Sequence, residues 1–244
     1  MGKSLSNLRR KRSASTLRNL APPPLATTTT PAPDLPVATL MTALHNVASY
    51  LVPKKQNLTL IGVGGIVNTV LLRSRTNTHD VDFFNDNLTT AEIKLLLDAA
   101  KSAVKKDSTL EQGWPNNHTV LFIPLHLRQT LTAQALSQHE TVFQDPGLTI
   151  FADLWEYQIC TKIDRLASTI TNDAHLHDRN DLLHYLERYL SRNSAMKIPR
   201  STIQSWFMQY MLPWQATNTD QILRNVNMSY KTTFSVHHDV IDFS

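Results

Sequence analysis

The sequence predicts an α+β fold, a small mixed β-sheet followed by a helical C-terminal half, and three observations carry that reading. Leu58 to Asn85 reads as strand, glycine turn, short helix and second strand. Two further short apolar runs, His118 to Pro124 and Leu148 to Ala152, read as strands. From Asp153 onward the apolar residues recur only at helical spacing. The expected organisation is a tail over 1–35, a mixed core over 36–152, a helical part over 153–230 and a loose C-terminus over 231–244.

Taken in order, residues 1 to about 35 form a low-complexity segment. Serines and arginines come first and a proline- and threonine-rich stretch, APPPLATTTTPAPDLP, follows; such a composition buries too little apolar surface to fold. Pro36 to Leu51 reads as the first helix, with Val37, Leu40, Met41, Leu44, Val47 and Leu51 on one stripe and Pro53 closing it. Thr89 or Thr90 caps a helix through Lys106 whose buried side is Ile93, Leu96, Leu97, Ala100 and Val104. Leu127 to Val142 fits either period. Helices are then expected over Leu154 to Ser168, Arg179 to Arg192, Thr202 to Met211 and Asp220 to Val226.

Composition narrows the function classes. The net charge of +4 misleads as a whole-chain figure, because Met1 to Pro33 holds six basic residues and no acid. The remainder carries 18 basic against 20 acidic residues, a balance of −2, which is not the charge of a nucleic-acid-binding domain. No apolar run reaches the 18 or so residues a membrane span needs. The single cysteine, Cys160, excludes an internal disulfide and fits a reducing compartment, so an intracellular, cytoplasmic protein is expected. The tail leaves nuclear, mitochondrial and membrane-tethered placement open. Met1-Gly2-Lys3-Ser4-Leu5-Ser6 fits a myristoylation pattern, with the RRKR cluster as the electrostatic second signal for weak membrane association. The same cluster also fits a nuclear localisation signal, and the acid-free composition fits a mitochondrial presequence.

The chemistry concentrates in LTLIGVGGIVNTVLLRSRTNTHDVDFFN, Leu58 to Asn85. Gly64-Gly65 breaks an apolar strand where the backbone must turn tightly and admit a ligand closely. In the strand expected over Asp80 to Phe84, residues i and i+2 point the same way, so Asp80 and Asp82 share a face while Val81 and Phe83 turn to the core. Two carboxylates on a rigid element suit Mg²⁺, which leaves its other positions to water and phosphate oxygens. A lone D-x-D means little; the conjunction with the glycine turn and with Arg75 and Thr78 carries the argument.

That conjunction, with Arg75, Thr78, Asp80 and Asp82 in the order R-x-x-T-x-D-x-D, resembles the nucleotidyltransferase superfamily related to DNA polymerase beta, and within it the branch of the type IV abortive-infection toxins. The resemblance covers Leu58 to Leu186. It implies that Gly64 and Gly65 hold a nucleoside triphosphate and that Asp80 and Asp82 hold catalytic Mg²⁺ or Mn²⁺. It implies that Lys162 faces the nucleotide, with Arg165 one turn on and Arg75 and Thr78 also in the nucleotide-binding set, and that Asp178 and Asp181 match a K/R-D-x-x-D-L signature in which His177 replaces the basic residue. Read without the family, Lys162 is a solvated helix cation paired with Asp164 or Glu156, Asp178 an N-cap for the helix from Arg179, and Asp181 an anchor for Lys162 or Arg165. His175, His177 and His184 lack the spacing of a zinc site.

The pattern departs from the family at one place. Active members carry a third carboxylate on the strand after the long helix, and the run VLFIP has none. Asp107, Glu111 and Asp145 are the nearest acids, and His126 is the available substitute base. The expected activity is transfer of a nucleoside monophosphate from an NTP to an acceptor hydroxyl on a protein, an RNA or a small molecule. The other expectation is a non-catalytic nucleotidyltransferase-like domain that binds nucleotide or a partner protein.

Overall fold

A computed structural model describes residues 34–168 and 173–244. The tail of residues 1–33 lies outside the described residues, as does the side chain of His175. The fold is α+β, as expected, with a mixed five-stranded sheet and a helical second half.

The chain enters through β1 (Leu35–Pro36), whose Pro36 sits in extended conformation ahead of α1 (Val37–Leu51). Leu40, Leu44, Val47 and Leu51 recur at helical spacing and are at most 2% exposed, so α1 is held by its apolar stripe. The central strand β2 (Leu58–Val63) is followed by the glycine turn and by a π-helical turn over Val67–Leu71, in which Leu72 N–H reaches back five residues to Val67 O at 3.0 Å. β3 (Asn77–Thr78) pairs with β1, and β4 (Val81–Phe84) returns antiparallel to β2, with Val63 opposite Asp82.

The next helix, α2 (Thr90–Lys106), starts where the sequence places it. Thr89 accepts from Glu92 N–H while the Glu92 carboxylate accepts from Thr89 N–H at 2.8 Å, a reciprocal cap worth about 1 kcal/mol. It packs against α1 along Leu96, Ala99, Ala100 and Ala103.

The strand expected over His118 to Pro124 is corrected. The strand in that region is β5 (Pro115–Asn116), parallel to β4 with Asn116 opposite Asp82. Asn116 Oδ1 then accepts from His118 N–H at 3.0 Å, an Asx turn that ends the strand and starts a 3₁₀ turn over His118–Leu121. Leu121 and Phe122 are 65% and 80% exposed, and of the run only Ile123 is buried. Periodicity alone cannot separate a short buried strand from such a turn.

The ambiguous stretch resolves into α3 (Leu125–Gln138), closed by His139 at φ 57°, and β6 (Thr141–Asp145), a hairpin partner of β7 (Leu148–Ala152). The sheet order is β5-β4-β2-β7-β6, with β2 parallel to β7.

The second half contains α4 (Trp155–Ser168), α5 (Asp173–Asn193), β8 (Ile198–Pro199), α6 (Arg200–Gln209), α7 (Ala216–Phe234) and β9 (Ile241–Asp242). α4 packs on α5, α6 and α7. Two expectations change here. α5 begins at Asp173, so Asp178 lies inside the helix and is not its N-cap. The C-terminus expected to be loose over 231–244 instead continues α7 to Phe234 and adds β9 parallel to β8. Asn227, buried on α7, brackets Ile241 with two backbone bonds of 2.7 and 2.9 Å, and Val240 and Ile241 are fully buried. A two-residue strand held by one buried amide leaves no periodic signal.

Candidate functional site

The site is built around the turn after β2. Gly64 takes φ +59°, a left-handed conformation that favours glycine, and the space where a Cβ would stand is empty to 4 Å. Gly65 is required for the opposite reason: a Cβ there would lie 2.0 Å from Thr78 Oγ1. Thr78, 5% exposed, donates to Asp80 O at 3.1 Å. Gly65 and Thr78 thus press the turn against the backbone that carries Asp80, and this close fit is the physical content of the Gly-Gly and Thr positions.

Asp80 stands one residue before β4, not within it as expected, and Asp82 lies on the strand. Burial, and next the charge of Asp80, push the Asp82 carboxyl up to about 6, against opposing effects of Asn116, His118 and Arg165. Two neighbouring carboxylates, one of them pushed toward its neutral form by burial and by the other's charge, make a site with affinity for positive charge. Asn116 fills the gap on the neighbouring strand, its Nδ2 donating to Asp80 Oδ2 at 2.9 Å. Because Asn116 Oδ1 already accepts from His118 N–H, the amide orientation is set and its donor faces the acids.

Lys162 is 6% exposed and its ammonium is doubly paired, 2.5 Å from Asp178 Oδ1 and 2.6 Å from Asp181 Oδ2. Asp181, fully buried, also receives the fork of Arg75, whose Nε donates at 2.8 Å and whose Nη2 bonds the other oxygen. Burial works against the Arg75 charge, but the hydrogen-bonded Asp181 outweighs it and holds the guanidinium above its ordinary pKa. Arg165 Nη2 meets Asp178 Oδ2 at 3.2 Å while its side chain is 61% exposed. The four residues Arg75, Lys162, Asp178 and Asp181 form a compact ion network with two cations and two anions, and Arg165 lies at its solvent edge with its charge also felt at Asp82.

This network ties α5 to the glycine turn. Asn68, fully buried, donates to Gly64 O at 2.9 Å and to Tyr185 Oη at 2.7 Å, and Asn180 donates to Ser74 O at 3.1 Å. Burial, with Asp181 nearby, pushes the Tyr185 phenol well up, so it stays neutral.

The structure therefore brings Gly64, Gly65, Thr78, Asp80 and Asp82 together at one end of β2 and β4, with Arg165 beside them. It gathers Lys162, Arg75, Asp178 and Asp181 into the adjoining network. His126 is exposed on α3, and the histidine that acts on Asp82 is His118. Sequence reasoning missed Asn116, Asn68, His118 and Tyr185. Asn116 was findable only with the β4–β5 register; Asn68 carried a signal, as a polar residue inside an apolar run.

For a metal, Asp80 and Asp82 fit one divalent cation completed by water and phosphate oxygens. Among the described residues no group of three or more His, Cys, Asp or Glu side chains is arranged to hold a metal ion. A three-carboxylate, two-metal arrangement does not fit, because an amide donor occupies the position beside the pair. Among the described residues no helix is long and apolar enough to cross a membrane.

Comparison with known proteins matches no curated protein and no solved structure. A family model described as a domain of unknown function, DUF7582, matches residues 34–237, from β1 through α7, and the chain belongs to that family.

Proposed function

We propose that the chain is a divalent-cation-dependent nucleotidyltransferase that binds an NTP between the Gly64 turn and the acid pair and passes its nucleoside monophosphate to a hydroxyl. The observation that carries the reading is the pairing of Asp82, raised to about 6 by burial and by Asp80, with an open backbone turn at the end of the neighbouring strand. A bound Mg²⁺ or Mn²⁺ would offset the charge of the two carboxylates and of the phosphate oxygens.

The chain's own residues supply the rest. Gly64 leaves room for a phosphate to approach the backbone, and Gly65 and Thr78 hold the turn beside Asp80. Arg165 is the cation disposed toward phosphate, since it is largely exposed and already acts on Asp82. Lys162 and Arg75 instead brace the base of the site through Asp178 and Asp181. His118, on the turn after β5, is the side chain available to take the acceptor proton.

One observation favours a second reading. Asn116 stands beside the acid pair and presents a donor, which fits a domain that binds nucleotide without turning it over. The two readings separate in a transfer assay with labelled NTP and Mg²⁺ or Mn²⁺, run beside an Asp80→Ala/Asp82→Ala variant and beside calorimetric NTP binding. Label transfer that the variant lacks supports the enzyme. Metal-dependent binding without transfer establishes the binding domain, and no binding removes both.

A further inference from the structure

Arg188 and Arg192 stand one turn apart on α5, and both reach the same acid. Glu140 is 3% exposed; Arg188 donates to its Oε2 from Nε at 3.1 Å and from Nη2 at 2.7 Å, and Arg192 Nη1 bonds Oε1. One carboxylate charge is thus met twice, and Arg188 alone balances it. Arg192 is the surplus cation, fixed by a second bond from Nη2 to Gln138 O at 2.8 Å. The Gln138 side chain in turn ties the end of α3 to the start of α4, accepting from Trp155 N–H at 3.0 Å and donating to Asp153 O at 3.0 Å.

Arg192 lines a cleft of about 350 Å³ at these helix ends, and so does Glu156, on the first turn of α4. Glu156 is half-buried and forms an ion pair with no described residue, since Lys162 of the same helix is spent on Asp178 and Asp181. Burial raises the Glu156 carboxyl, and its own amide N–H and the charge of Arg192 oppose that rise. Glu156 and Arg192 therefore sense one another across the cleft without touching. The remaining wall is aromatic. Trp206 packs edge-on against Tyr189 with ring centroids 5.1 Å apart, and Tyr210, 3% exposed, lines the cleft with a hydroxyl that has no hydrogen-bond partner among the described residues. Burial first, and Glu156 next, push the phenols of Tyr189 and Tyr210 up, so both stay neutral beside the acid.

We propose that this cleft binds a free α-amino acid, with its ammonium on Glu156, its carboxylate on Arg192 and its side chain along Tyr189 and Trp206. The site is separate from the acid pair and stands whether or not the transfer reading does. A simple cation would satisfy Glu156 and be repelled by Arg192, and a simple anion would meet the reverse. A zwitterion matches both, and a partly buried charge is stabilised only when it gains a partner. An α-amino acid carries its two charges on one carbon, a spacing suited to two groups that face each other beyond contact. Arg192 uses two N–H groups on Glu140 and Gln138 and keeps the others of its fork for a ligand carboxylate. The volume falls within the range of small-molecule sites.

The test is calorimetric titration of the full chain with L-phenylalanine and with L-leucine, up to about 10 mM. Phenylalanine methyl ester, which lacks the carboxylate, and N-acetylphenylalanine, which lacks the ammonium, are titrated beside them. Glu156→Gln and Arg192→Gln run in parallel with their melting temperatures; the first keeps the shape of the side chain and the second leaves Arg188 on Glu140. The expected result is binding of at least one free amino acid, weakened at least tenfold by blocking either end and by either substitution. A methyl ester that binds as tightly as the free amino acid reduces the cleft to a cation site and overturns the proposal. Binding that both variants retain, or no binding of either probe, overturns it as well. If the variants melt low, the blocked ligands on the unmodified chain decide the matter alone.

Discussion

Asn116 donates its side-chain amide to Asp80 at 2.9 Å from the strand position opposite Asp82. The bond places a neutral donor at the one point from which a third carboxylate would complete the acid pair. Asn116→Asp therefore adds charge where two acids already repel. Without divalent cation the variant should melt lower than the unmodified chain at neutral pH, and with Mg²⁺ or Mn²⁺ it should bind the ion more tightly, on the order of tenfold. Calorimetric titration with Mn²⁺ checks this; equal affinity in the two proteins would place the ion elsewhere.

Asp82 gives a pH-dependent signature whose sign follows from its raised pKa. Between the ordinary value of 3.8 and about 6 the folded chain holds a proton that the unfolded chain has released, so stability falls as pH rises through that window. Asp82→Asn removes the penalty. The stability difference between variant and unmodified chain should grow from near pH 4 to above pH 6 and then level off, at about 1–2 kcal/mol after allowance for solvent screening. Denaturant titrations at several pH values measure it. Adding Mg²⁺ should raise the melting temperature of the unmodified chain and leave Asp82→Asn nearly unmoved.

Lys162 compensates two buried acids, and its removal should be expensive. Lys162→Met leaves Asp178 and Asp181 to Arg75 and Arg165 alone, a loss of about 3–5 kcal/mol. Lys162→Met/Asp178→Asn restores charge balance and should recover most of that stability. Because both contacts of the ammonium are internal while Asp178 also meets Arg165, the double variant should bind NTP as tightly as Asp178→Asn alone. Weaker binding in the double variant than in Asp178→Asn would instead assign Lys162 to the nucleotide.

The same residues show how far the sequence reaches. The glycine turn, the acid pair and the helices from Trp155 on were legible because they rest on local rules: a break in an apolar run, a two-residue spacing, a 3.6-residue period. Thr89 and Glu92 marked the start of α2 for the same reason. What stayed hidden depends on pairing across the chain. The third strand was placed a few residues late because Val120 to Ile123 is apolar, while Pro115–Asn116 is recognisable only by its register with Val81 and Asp82. That shift concealed Asn116, although the departure from a three-carboxylate arrangement was already legible in a run, VLFIP, that carries no acid. Lys162 was readable as a helix cation and Asp181 as its anchor, but the second partner, Asp178, was hidden because α5 begins at Asp173, where the boundary signal is weak.

Gly65 offers the sharpest test of the turn itself. A Cβ added there meets Thr78 Oγ1 at 2.0 Å and Thr78 Cβ at 3.0 Å, so Gly65→Ala cannot be accommodated without moving β3 or the turn. The expected cost is about 1–3 kcal/mol, as for an overpacked core. Gly65→Ala/Thr78→Ala removes the hydroxyl and leaves only the 3.0 Å approach, so it should melt closer to the unmodified chain than Gly65→Ala alone. At Gly64 the space is open and the constraint is the backbone, φ +59°. Gly64→Asn, which tolerates the left-handed region, should cost less stability than Gly64→Val, which does not. The asparagine side chain would still fill the space over the turn, so Gly64→Asn should keep the fold and weaken NTP binding. A Gly64→Asn protein that binds NTP as tightly as the unmodified chain would move the triphosphate away from this turn.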